Sequence, residues 1–130
     1  MSRMAQKCLA CCIAVLLPVW TGCIPLLVGA AVGAGGISYA KGALAKNVEH
    51  DLQDVHAATL KALKKLDLFV TADEVNKHDS KVHAEFQDGE KINIFLDAIT
   101  EHNTKITIRI GVFGHQEKSQ LILNAIELNL

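Results

Sequence analysis

After residue 23 the chain contains no cysteine: of its 130 residues only Cys8, Cys11, Cys12 and Cys23 carry a thiol. A disulfide framework, a cysteine zinc site and a cysteine nucleophile are thereby excluded from everything that follows. A surplus of positive charge is missing as well, with 13 Lys and Arg against 14 Asp and Glu and a net charge of −1. No basic stripe is present to release phosphate counterions, so nucleic acid is excluded as a partner. Neither GxGxxG nor a glycine-rich turn followed by Gly-Lys-Ser/Thr occurs, and HExxH and GxSxG are absent. The local chemistry that cradles phosphate, holds a helix-borne zinc or presents a serine on an elbow is therefore not encoded. Aromatics make up only 5% of the chain, and one that falls outside the apolar pattern is worth attention.

What is present begins with an address. Arg3 and Lys7 form a short basic start, Cys8 to Trp20 an uncharged apolar stretch, and Thr21 and Gly22 a small-residue exit. These are the three parts of a secretory signal. The apolar stretch is shorter than the roughly 20 residues that span a bilayer as a helix, and Pro18 interrupts it. Trp20-Thr21-Gly22-Cys23 resembles the lipobox of bacterial lipoproteins, with Trp20 where leucine usually stands. The resemblance implies that residues 1–22 are a signal peptide and that Cys23 becomes the acylated first residue. An uncleaved membrane anchor and an ordinary secreted protein are the competing readings. Several acyl chains give effectively permanent attachment, where one chain gives only marginal binding. Ile24, rather than aspartate, follows the cysteine, which in Gram-negative lipoproteins implies the outer membrane with the domain facing the periplasm. Losing Arg3 and Lys7 with the leader takes the net charge to −3.

Residues 23–36 form the lipidated cysteine and a glycine- and alanine-rich apolar linker. Two readings stay open for it. Clustered glycines make a flexible tether, and Gly29 with Gly33 would also serve as a small-xxx-small surface for helix packing at the membrane.

Residues 37–130 read as one α+β domain. Asp51 is placed to cap a helix in which Leu52, Val55, Thr59, Ala62, Leu63 and Leu66 share a face, with Lys64 and Lys65 complementing the dipole at its end. Ile37 to Val48 reads as a strand in preference to a helical lead-in, because Gly42 weakens a helix. Three later segments alternate with period two: Val82, Ala84 and Phe86; Ile92, Ile94 and Leu96; Ile106, Ile108, Ile110 and Val112. An earlier strand near Leu68 to Val75 joins them. Parity requires a three-residue Gln87-Asp88-Gly89 turn that pairs Phe86 with Glu90. The same reasoning makes Glu101-His102-Asn103 the next turn and sets Thr100 opposite Thr104. A last helix from about His115 turns Ser119, Ile122, Leu123 and Ile126 inward. The expected fold is a two-layer α+β sandwich, an antiparallel sheet of four or five strands with two helices on one face.

Taken in order, the lipobox, the Ile24 to Gly36 run, Tyr39-Ala40-Lys41-Gly42, the helical Ala58 to Leu63 segment and Ile106 to Gly114 before a short helix resemble a family of small bacterial lipoproteins. That family is catalogued as a domain of unknown function. It implies a lipoprotein with an α+β domain and supplies no activity, cofactor or catalytic residue.

The six histidines are scattered without ligand spacing and read as surface residues. Ser119 and His115 are four apart on the last helix but lack a third group to orient the base. No catalytic residue, metal site or cofactor is expected, and the protein is read as not an enzyme. The opposite, polar face of the sheet is the candidate partner-binding surface. It carries Glu85 opposite Lys91, and Phe95 opposite Arg109, an aromatic among charges. Stacking of Arg109 on Phe95 is the structural reading, and a binding hot spot the functional one. The leading expectation is a non-catalytic envelope scaffold or partner-binding module; the alternative is a carrier of a small ligand or lipid in an apolar pocket between helices and sheet.

Overall fold

The computed structural model describes residues 36–130. The expected signal peptide, the expected acylation site Cys23 and the expected linker up to residue 35 lie outside the described residues. Two helices and six strands follow one another as β1 (Ser38–Ala40), β2 (Ala43–Val48), α1 (Leu52–Lys65), β3 (Phe69–Val75), β4 (Asp79–Glu85), β5 (Lys91–Thr100), β6 (Asn103–Ile110) and α2 (Gln116–Glu127). The strands form one antiparallel sheet in the order β1-β2-β6-β5-β4-β3. β3 to β6 run as a meander, and α1 carries the chain across the sheet from β2 to the far edge. No helix among the described residues is long and apolar enough to cross a membrane.

The sheet has six strands, where four or five were expected. The extra strand comes from the segment before Val48, which folds as a hairpin instead of a single strand. Lys41 and Gly42 both take positive φ, 52° and 79°, and the flanking Ala40 and Ala43 pair. Two successive left-handed residues make the two-residue turn whose twist suits antiparallel strands. Gly42 is therefore a turn residue and not a weakened helix position.

The core lies between the helices and one sheet face. Ile92, Ile94, Leu96, Ile106, Ile108 and Ile110 have no exposed surface, and Val55, Leu63, Ile122, Leu123 and Ile126 close over them. Each such aliphatic side chain contributes roughly 1.5–3 kcal/mol relative to exposure. Exposed ion pairs contribute about 0–1 kcal/mol. The alternating isoleucines therefore dominate the energetics, and they are what the period-two pattern announces. Ser119 is buried with them, as its place on the inner face of α2 requires.

The β4–β5 turn is as expected. Phe86 N–H donates to Glu90 O at 3.0 Å, and Gly89 sits at φ 84°. The β5–β6 turn differs. Ala98 pairs with Thr104, and after a bulge at Ile99 Thr100 pairs with Asn103. Only Glu101 and His102 form the turn, so the register is displaced by two residues from the expected one. A displacement of two preserves which side chains face the core, so apolar parity alone does not detect it. Val112, expected on the inner face of β6, is 76% exposed, because the strand ends at Ile110 and Gly111 turns with φ 64°.

Candidate functional site

On the polar face, Glu85 lies opposite Lys91, as expected. The same side carries the complementary pairs Glu74 with Lys81 and Asp97 with Lys105, the sheet counterpart of helical ion pairing. Phe95 is half-buried and does not sit opposite Arg109. Its cross-strand neighbours are Thr107 and Lys81, while Arg109 faces Asn93. This correction follows from the two-residue register displacement. Phe95 instead meets the His83 ring edge to face, with centroids 6.3 Å apart and planes at 89°. His83 Nδ1 is 2.7 Å from Asn93 Oδ1, and since an amide oxygen only accepts, Nδ1 carries the proton. Arg109 turns to the end of the sheet, where its Nη2 donates to Val112 O at 2.8 Å. Of the four candidate residues, the structure thus pairs Glu85 with Lys91 and separates Phe95 from Arg109.

His56 is a second correction. Expected at the surface, it is 9% exposed. Its Nδ1 is 2.8 Å from Ser80 Oγ and its Nε2 3.4 Å from Asp73 Oδ1. The carboxylate beside Nε2 draws the proton there, which leaves Nδ1 to accept from the Ser80 hydroxyl. Ser, His and Asp are the membership of a nucleophilic triad, yet the ring is reversed, for the attacking serine of that arrangement bonds Nε2. Ser80 is 1% exposed, and an acyl carbon has no room within about 3 Å of its hydroxyl. The cluster ties α1 to β4 and β3. Its sequence signal was the spacing: Ser80 continues the Val82–Ala84 alternation backward, and His56 lies one helical turn after Leu52.

A family model described as a protein of unknown function, DUF3568, matches residues 7–129. The chain belongs to the DUF3568 family. The match takes in Cys23 as well as the α+β domain. Among curated proteins, none matches the chain.

Elsewhere in the DUF3568 domain, polar groups serve the fold. Lys118 pairs with Glu90 and lies 4.7 Å from the Phe86 ring centroid. Its hydrogen bond to Glu90 raises the ammonium pKa above its usual value, desolvation opposes this, and the charges of Glu90 and Asp88 add to the rise. Asp51 stands at the N-cap of α1 but makes no cap bond; its carboxylate accepts from His102 Nδ1 at 2.6 Å instead. Ser119 Oγ finds no hydrogen-bond partner among the described residues, so His115 does not engage it. No group of three His, Cys, Asp or Glu among the described residues is placed to hold a metal ion. Concavities run along the outside of the helices, one of about 750 Å³ lined by Leu66, Leu121, Asn124 and Leu128, and another beside Phe69 and Val70 of β3. Neither is lined by the isoleucine face.

Proposed function

We propose that the protein is a bacterial envelope lipoprotein, acylated at Cys23, whose α+β domain acts without catalysis as a scaffold or partner-binding module on the periplasmic side of the outer membrane. The observation that carries this reading is Trp20-Thr21-Gly22-Cys23 closing an uncharged apolar stretch behind Arg3 and Lys7. Two facts support it. The family match extends through Cys23 and does not begin at the folded domain, and the domain after it needs no thiol for its core. The reversed Ser80–His56–Asp73 cluster, with Ser80 and His56 buried, supports a structural over a hydrolytic role. Partner contact is assigned to the polar sheet face, where Phe95 supplies apolar area beside Lys81 and Thr107, with the Glu85 and Lys91 pair beyond His83 and Asn93 and Arg109 at the margin.

Intact-mass measurement on protein extracted from membranes, beside a Cys23→Ala variant, tests the anchor. The expected mass is that of residues 23–130 plus acyl chains, and the variant should lose both processing and lipid. A full-length mass without lipid would overturn the reading and make the leader a retained anchor.

A further inference from the structure

The loop after β6 leaves its two apolar residues in solvent: Phe113 is 92% exposed and Val112 76%. Exposure at this level in a loop usually accompanies slack backbone, yet here the backbone is held on three sides. Gly111 N–H donates to Lys91 O at 2.8 Å, and Arg109 Nη2 donates to Val112 O at 2.8 Å. Gly114, at φ 84°, lies so close to Gly42 that a side chain on either glycine would overlap the other's backbone or the Phe113 carbonyl. The Gly42–Gly114 contact fixes the loop against the β1–β2 turn, so Val112 and Phe113 project as a preformed apolar tip.

We infer that this tip inserts into the interfacial layer of the bilayer that holds the anchor. The inference rests on the lipoprotein reading above. Ser38 lies three strand residues from Lys41, about 10 Å at the usual rise, so the linker joins the domain close to the tip. Lys41 and Arg109, both exposed, flank it with positive charge, which suits anionic headgroups. Glu49, Asp51, Asp54, Asp79 and Glu101 lie at the opposite end of the sheet, whereas the acids at the tip end include Glu85, opposite Lys91, and Glu90, paired with Lys118. A rigid apolar wedge flanked by Lys41 and Arg109, close to where the linker enters the domain, is the pattern of an interfacial contact. It would set the domain upright with its polar sheet face running along the membrane normal, open to a partner.

Trp20 is the chain's sole tryptophan and leaves with the leader, so an indole placed by substitution reports alone. Acylated Phe113→Trp and Ile99→Trp proteins are reconstituted into phosphatidylethanolamine–phosphatidylglycerol vesicles with and without brominated acyl chains. Ile99, 57% exposed, lies at the opposite end of the sheet. The expected result is loss of most emission and a blue shift for Phe113→Trp, with Ile99→Trp unchanged. Equal, unquenched emission from both in vesicles that float with the protein would overturn the docking while leaving the anchor standing. Protein that fails to float would overturn both. A blue shift without bromine quenching would mean that a protein surface covers the tip, and would also overturn the proposal.

Discussion

Replacing Ser80 by alanine removes the hydroxyl that His56 Nδ1 accepts from, and the ring nitrogen is then buried without a partner. An unsatisfied buried polar group costs about 1–3 kcal/mol. For a domain of this size each kcal/mol corresponds to a Tm change of roughly 4–8 °C, so Ser80→Ala should lower Tm by about 4–24 °C. His56→Leu keeps volume but strands the Ser80 hydroxyl, and should cost a similar amount. The double variant places two apolar side chains where the bonded pair was, an exchange that is often nearly neutral. Its loss should therefore fall short of the two single losses combined, by a coupling of about 0.5–3 kcal/mol. Urea unfolding of the four proteins, followed by far-ultraviolet circular dichroism, measures the cycle. Additivity within about 0.3–0.5 kcal/mol would refute the view that His56 and Ser80 brace α1 against the sheet. Asp73→Asn should matter less than either, because that carboxylate is 36% exposed and 3.4 Å from the ring.

The two glycines at φ 79° and 84° separate backbone strain from packing. Gly89→Ala meets nothing within 4 Å and should cost only the left-handed penalty of about 1–2 kcal/mol. Gly42→Ala collides with the Phe113–Gly114 peptide as well and should cost about 1–3 kcal/mol more; equal losses in thermal unfolding would contradict the close approach. Lys118 has its pKa raised by Glu90, so its contribution is complete below the unfolded-state value of 10.5 and is lost as pH climbs through the folded value. Lys118→Met should flatten the alkaline decline in Tm, and an unchanged decline would show that the pair does not form in solution.

Much of this fold was legible because one sheet face is apolar and the other is not. Ile92 to Leu96 and Ile106 to Ile110 declare their parity, and Gly89 declares its turn. Register beyond parity was not legible at β5–β6. The bulge at Ile99 carries no glycine to mark it, and a displacement by two leaves every core residue in place. That one displacement also decided the candidate site: Glu85 and Lys91, set by the legible turn, pair as expected, whereas Phe95 and Arg109, set by the other, do not. Lys41 and Gly42 were visible as residues, but a left-handed lysine is uncommon enough that the hairpin was not read from them. His56 escaped because a polar residue on a helical stripe is recognised as buried only when its partners, here Ser80 and Asp73 from other strands, are known.

The two borders of the sheet end it in different ways. β1 spans three residues, too short a template for another strand. β3 is long and exposed along all seven of its residues, but its ladder to β4 shifts between Val70 and Ala72, and Asp73 and Glu74 follow at once. A kinked, acidic border resists addition of a neighbouring chain. On the proposed anchoring, which would hold copies in a plane where they meet far more often than in free solution, such borders would let the domains stand densely without joining into a continuous ribbon.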